Sequence, residues 1–253
     1  MDVWQESAFG LSECSGPTSR MIYLSHTAHW QFLGLVFGAL AWILILTTAG
    51  LNEWRLWYVE DESVITSGVA WVGIWKACFF SHTLPSLENC QSISISDPFA
   101  PTEIPVAQVL VVLAVICGLA GNISAALAMR MAYFSVEDRK NIRLLFLLAG
   151  TLYVLTAVLC LVPLVWNMTS IYNNSTIDFP PEFHLPAAPV KQKVGSAIGV
   201  GLFASVLMLI SGLLFLCYRY AWQTLSSEAP LHRGLNVGNQ GLDNPAFHTE
   251  EVS

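Results

Sequence analysis

The chain has 253 residues, 54% of them hydrophobic and 11% charged, with a formal net charge of −7. With a mean hydropathy of +0.55, this is the composition of a polytopic membrane protein and leaves no room for a large soluble domain. The acidic balance excludes nucleic acid as a partner, because that requires clustered basic residues.

Residues 1–25 are polar and lack a basic start, so they do not form a secretory signal. A cytoplasmic tail is expected over 1–29, and its first 20 residues read as an optional extension ahead of Met21. His26 and His29 have the spacing of a metal pair but no carboxylate nearby, so they read as solvated interface residues and no metal site is expected.

Four apolar runs follow, over 30–51, 106–129, 144–166 and 194–218, and none contains Asp, Glu, Lys, Arg or His. A bilayer core about 30 Å thick needs roughly 20 apolar residues per spanning helix, so each run predicts a transmembrane segment. Gly34 with Gly38, and Gly195 with Gly199, stand four residues apart as small residues do where helices approach closely. Pro163 is placed to kink the third span. Gln108, Asn122, Thr151 and Tyr153 are the notable polar residues of the spans, and interhelical hydrogen bonds account for them.

The first loop, 52–105, carries Glu53, Glu60, Asp61, Glu62, Glu88, Asp97 and Glu103 against Arg55 and Lys76. Strand-forming residues run over 55–59, then a short stretch over 64–67, then an alternating run over 69–80. Residues 85–89 read as a turn and 91–96 as a further strand with Ile93 and Ile95 on one face. The inner loop, 130–143, holds Arg130, Arg139, Lys140 and Arg143, which makes its side cytoplasmic and places both termini inside. The second outer loop, 167–193, has candidate N-glycosylation sequons at Asn167, Asn173 and Asn174, whereas the match at Asn122 falls inside a span and is silent. The tail, 219–253, is expected to be disordered, and its Asn244-Pro245-Ala246-Phe247 resembles an endocytic adaptor motif.

Among the six cysteines, Cys117 and Cys160 lie within spans, Cys14 is on the reducing side, and Cys217 at the inner end of span four is either a candidate for palmitoylation or a buried thiol. Cys78 and Cys90 face the oxidising side together, so a disulfide is expected between them. Closing a loop of that size is worth roughly 3 kcal/mol in the chain-entropy model.

The absence of ionisable residues from the spans argues against ion-coupled transport and proton pumping. The scattered histidines fit no hydrolase or metalloenzyme motif, so no enzyme activity and no cofactor are expected.

Trp54, then Gly73-Ile74-Trp75, then Cys78 and Cys90, in the first outer loop of a four-span chain, resemble the claudin signature W…GLW…C…C. Residues 50–58 are most similar to a divergent branch of that family. Ile74 replaces the usual leucine, and Pro105, Val106 and Gln108 stand where the family carries an arginine at the start of span two. The final Val252-Ser253 departs from the hydrophobic end that docks in PDZ scaffolds and puts that partner in doubt.

The resemblance implies a left-handed four-helix transmembrane bundle with a small extracellular antiparallel β-sheet. The sheet would take strands from the first loop and one from the second, with Trp54 and Trp75 seating its base on the bundle. It further implies a plasma-membrane protein of tight junctions that associates with itself and with other claudins, in the membrane and across cells, with lipid around the spans. Glu60, Asp61 and Glu62 are the candidates to line a cation-favouring paracellular pore, or else form a solvated turn; a plain barrier is the other form of the same role. The alternative is an auxiliary subunit of another membrane protein.

Overall fold

The computed structural model describes residues 17–59, 65, 67–81, 84–134, 139–185 and 188–235. Four long helices carry the chain back and forth: α1 (Pro17–Gly50), α2 (Glu103–Phe134), α3 (Arg139–Tyr172) and α4 (Ser196–Leu235). Each contains a stretch long and apolar enough to cross a membrane, at Trp30–Gly50, Glu103–Tyr133, Asn141–Tyr172 and Ser196–Cys217. The helices outrun the expected spans. The backbone of α1 is helical from Pro17, within the expected tail, and α4 continues to Leu235, well into the segment expected to be disordered. Backbone groups in hydrocarbon must bond within their own segment, and a helix that meets this need has no reason to stop where the apolar run stops.

Small residues face inward and large ones outward. Ala41, Ala107, Ala114, Ala125, Ala149, Ala157 and Ala204 are buried, while Ile43, Leu113, Ile116, Val158 and Leu213 are exposed. In lipid the aliphatic surface gains nothing by turning inward, so close backbone approach decides the packing. Gly150 of α3 and Gly212 of α4 meet reciprocally. A Cβ on either would lie 3.1 Å from the carbonyl oxygen of the other, and on Gly212 it would also stand 2.8 Å from Val154. Gly34 packs against Phe215, and Gly38 against Tyr153 and Ser211. The Gly195 and Gly199 pair does not pack helices. Gly195 lies just before α4, and Gly199 has open space beside it.

Tyr153 is fully buried and donates from its hydroxyl to Asn122 Oδ1 at 2.9 Å, bridging α3 and α2. Trp42 donates from Nε1 to the Val115 carbonyl at 3.0 Å, bridging α1 and α2. Thr151, expected to bond between helices, is exposed and bonds back to Leu148 O of its own helix. Helix α3 continues through Pro163 to Tyr172.

At one end of the bundle sits a five-stranded antiparallel sheet of β1 (Arg55–Tyr58), β2 (Val69–Val72), β3 (Lys76–Ser81), β4 (Leu84–Ser92) and β5 (Lys191–Val194), in the order β4-β3-β2-β1-β5. The strand from the second outer loop pairs with β1, from Arg55 opposite Val194 to Tyr58 opposite Lys191. Three expectations are corrected. The alternating run 69–80 is two strands, because Gly73-Ile74-Trp75 forms the turn of a hairpin with Val72 opposite Ala77. Residues 85–89, expected as a turn, belong to β4, an edge strand, where a proline is tolerated. The chain leaves the sheet after Ser92, so Ile93 is buried while Ile95 is 55% exposed. Of the short strand expected over 64–67, the described residues show an isolated bridge at Ile65 and a turn at Ser67.

The reciprocal glycine crossing generates a test. Gly212→Leu drives a side chain into Val154 and Gly150 and should destabilise the detergent-solubilised protein by about 2–3 kcal/mol, lowering its thermal midpoint by several degrees. Gly199→Ala, with nothing near the new methyl, should leave the midpoint unchanged or slightly raised.

Candidate functional site

The sheet is seated on the bundle through the end of α1. The last carbonyls of a helix have no partner in the helix itself. Here two of them are taken by indoles: Trp54 Nε1 donates to Thr48 O at 3.1 Å, and Trp75 Nε1 donates to Ala49 O at 2.9 Å. Trp54 and Ile74 are 1% exposed and belong to the core of the bundle, not to that of the sheet. The turn that carries Ile74 is closed by Gly73 N donating to Lys76 O at 2.9 Å. Gly73 is required by close approach, since a Cβ there would stand 2.8 Å from Asn52 Cα. Gln108 of α2, at the start of span two where the resemblance led to an expected arginine, donates from Nε2 to Ile74 O at 2.6 Å and to Ile93 O at 3.0 Å. Residues 53 and 54 also receive the start of α4. Glu53 O accepts from Ala197 N and Trp54 O from Gly195 N, and Ser196 donates its hydroxyl to the Glu53 carboxylate.

A charged network ties the middle of the sheet to α2 and α3. The burial of β1 alternates, with Arg55 and Trp57 inside. Arg55 is 1% exposed, and its Nη2 donates to Glu103 Oε1 at 3.1 Å and to Asn167 Oδ1 at 2.8 Å. Ser170 donates to the same Glu103 oxygen at 2.6 Å, and Asn167 Nδ2 donates to Pro163 O at 3.0 Å. Burial pulls the Arg55 guanidinium below its ordinary pKa, and the bond and charge of Glu103 pull it back up. Taking one charge away leaves the other buried and unpaired, which is the costly way to break such a pair.

The sheet has a core of its own. Trp57, Ala70, Val72, Ala77 and Phe79 from its inner face pack with Ile104 and with Ile177, Phe179, Phe183 and Leu185 of the second loop. Phe179 stands edge-on to Trp57 with centroids 5.5 Å apart and stacks on Phe183 at 5.4 Å. These aromatics bind the second loop to the first. Cys78 and Cys90 are directly opposed on β3 and β4 and form a disulfide. Glu88 lies close to both sulfurs, in an arrangement of metal-ligating residue types, but the two sulfurs are bonded to each other.

The other predicted site residues are dispersed. Asn173 and Asn174 are exposed at the end of α3. Asn167 is corrected: it is 1% exposed, and its carboxamide is committed to Arg55 and Pro163, leaving no room for a glycan in the folded chain. Cys217 is exposed on α4, at the end of the membrane-capable stretch Ser196–Cys217. Glu60, Asp61, Glu62, Cys14, Asn244–Phe247 and Val252-Ser253 lie outside the described residues. Of the acidic loop residues, Glu103 is neutralised by Arg55, so the loop's exposed charge is smaller than its composition suggests. In the sequence Arg55 and Glu103 stand among the other charges of the first loop, 48 residues apart. The signal that was available is period-two alternation, which puts Arg55 on the face of Trp57.

Four membrane-capable helices with a disulfide-stapled five-strand sheet held on one end by tryptophan caps and a buried ion pair define a four-span protein with a rigid outer lobe. A family model described as PMP-22/EMP/MP20/Claudin tight junction matches residues 39–217. The chain belongs to that family. It is 26% identical to claudin-3 of Rattus norvegicus over 215 residues, covering 82% of this chain and 93% of the relative. It is 28% identical to claudin-6 of Homo sapiens over 193 residues, covering 76% and 82%. It is also 28% identical to claudin-5 of Homo sapiens over 193 residues, covering 76% and 83%.

Removing one partner of the buried pair is the sharpest test of this seating. Arg55→Leu should cost about 3–5 kcal/mol, read as a lower unfolding midpoint in detergent and as protease sensitivity of the outer lobe. Arg55→Leu with Glu103→Leu should recover a substantial part of that loss.

Proposed function

We propose that this chain is a claudin-like structural protein of cell–cell contacts in the plasma membrane. Copies associate in the membrane and across cells, with each other and with other claudins, and form a paracellular barrier or a cation-favouring pore. The observation that supports this reading best is the outer sheet. It is fixed to the bundle at all four helices, so a contact made by the sheet holds the whole protein in one orientation.

Orientation follows the same reading. The exposed Arg130 and Arg143 flank the α2–α3 connection, while the disulfide and the exposed Asn173 and Asn174 belong to the sheet end. Basic residues favour the cytoplasmic side, and disulfides and glycans the outer side. Both termini are therefore cytoplasmic, and Cys217, exposed on α4, is the candidate for reversible palmitoylation. Glu60, Asp61 and Glu62 remain the candidates for a cation preference, since carboxylates lower the barrier for positive ions.

The test is freeze-fracture microscopy of the chain expressed in cells without claudins of their own. Continuous strands at contacts are expected; surface-delivered protein without strands would overturn self-assembly by this chain alone. Cys78→Ser should reduce surface delivery and loosen the outer lobe, and normal delivery with an unchanged lobe would remove the staple from this account. On gels, the double change Asn173→Gln and Asn174→Gln should abolish the mobility shift produced by glycosidase, whereas Asn167→Gln should leave it intact.

A further inference from the structure

The two faces of the sheet differ. The inner face is covered by the second loop and the bundle, whereas on the outward face Cys78 alone is fully buried, with Asn52 Nδ2 donating to its sulfur at 3.6 Å, and its neighbours Leu56, Tyr58, Val69, Trp71 and Phe80 are half-buried. Cross-strand register gives the composition of that face. One row reads Lys193, Leu56, Trp71, Cys78, Cys90 from β5 to β4. The next begins Lys191, Tyr58, Val69. Strands β2 and β3 pair at Trp71 opposite Cys78 and Val72 opposite Ala77, where their ladder ends; two residues beyond Cys78 along β3, Phe80 lies on the same face, and its partner on β4 is Glu88. The Phe80 ring stands edge-on to Trp71 at 5.4 Å, in keeping with that register.

The row therefore runs from a cation at one edge to an anion at the other. Lys191 and Glu88 are exposed, and Tyr58, Val69 and Phe80 between them are half-buried, as are Leu56 and Trp71 in the row beside it. Neither Lys191 nor Glu88 makes an ion pair among the described residues. Lys193, by contrast, sits over the Tyr58 ring at 5.1 Å. An apolar centre between opposite charges is self-complementary. Strand β2 is the third of five. A two-fold axis parallel to it, lying between two stacked sheets, leaves β2 facing β2 and puts β5 of each copy over β4 of the other. Lys191 then meets Glu88 of the second copy, and Glu88 meets Lys191, at the two ends of one row, while Val69 and Trp71 meet their own counterparts.

We propose that the outward face of this sheet is a docking surface for a second copy of the same chain, stacked face to face about a two-fold axis along β2. The inference rests on the proposed self-association and names the face that carries it. Sheets stacked this way lie about 10 Å apart, close enough for side chains to interdigitate and exclude water. Five strands span only about 19 Å at 4.8 Å spacing, so the contact is smaller than a standard stable interface. It serves as a repeated contact between copies already concentrated at a membrane, where effective concentration makes up for area. A face closed in this way is a seal and not a lumen.

The test uses the full chain with Val69→Cys, expressed in cells without claudins and treated from outside with a short membrane-impermeant bis-maleimide. The two-fold axis places residue 69 opposite itself, so a covalent dimer is expected on a denaturing gel. Ser94→Cys, exposed outside the sheet, is the control. Trp71→Cys is the second probe, used if Val69→Cys fails to reach the surface. Adding Lys191→Glu turns both end contacts into repulsions and should reduce the dimer about tenfold. Adding Glu88→Lys as well exchanges the charges and should restore it. A dimer no stronger than the control, or no restoration by the exchanged pair, overturns the docking surface. Freeze-fracture of the same cells separates this from the broader reading. Strands without the dimer would keep self-association and reject this face, and the dimer without strands would keep the face and reject strand formation.

Discussion

The outer lobe depends on the pairing of Arg55 with Glu103. Arg55 lies on the inner face of the strand that runs between β2 and β5, Glu103 begins α2, and Asn167 and Ser170 complete the network from α3. One guanidinium thus brings together the sheet and two helices from three separate parts of the chain. An ion pair this buried contributes little net stability compared with an apolar replacement, but it is unforgiving of misalignment. Its effect is to make one placement of the sheet much better than its neighbours. The aromatic packing of Trp57, Phe179 and Phe183 then supplies the apolar burial that the ion pair does not.

The family signature has a direct physical meaning here. Trp54 and Trp75 bind the open carbonyls at the end of α1, and Ile74 lies in the bundle core between them and α2. Gly73 is small because Asn52 passes against it. Gln108 holds the same turn from α2 through two carbonyls. The signature is therefore a joint between helix ends and a hairpin, and the disulfide one strand further on keeps β3 and β4 in register.

The four spans were legible in the sequence because an uncharged run of some 20 residues has few other structures open to it. The disulfide was legible because only two cysteines share the oxidising side, and the fifth strand from the second loop came with the resemblance. The hairpin turn was not legible. Turn residues are usually polar, but Gly73-Ile74-Trp75 points into a second core and keeps an apolar alternation through the bend. Pro85 suggested a turn and instead lies in an edge strand. Arg55 looked like any loop charge, since its partners are 48 and 112 residues away. Asn167 matched a sequon, which records three residues and says nothing about burial. Gly195 and Gly199 matched a spacing, yet the helices cross at Gly150 and Gly212.

The bridge made by residues 53 and 54 also has a mechanical consequence. Their main-chain and side-chain groups join the end of α1 to the start of α4, through Trp54 to Thr48 and through Glu53 to Ala197 and Ser196. Strands β1 and β5, which leave this point, pair along their whole length. A pull on the lobe away from the bundle is therefore shared between two helix axes and resisted by several hydrogen bonds loaded together, not broken one after another. The covalent tie between β3 and β4 prevents the far side of the sheet from peeling first. Tension across such a lobe reaches the membrane through several helices at once, since Arg55 and Gln108 tie the same lobe to α2 and Arg55 also to α3.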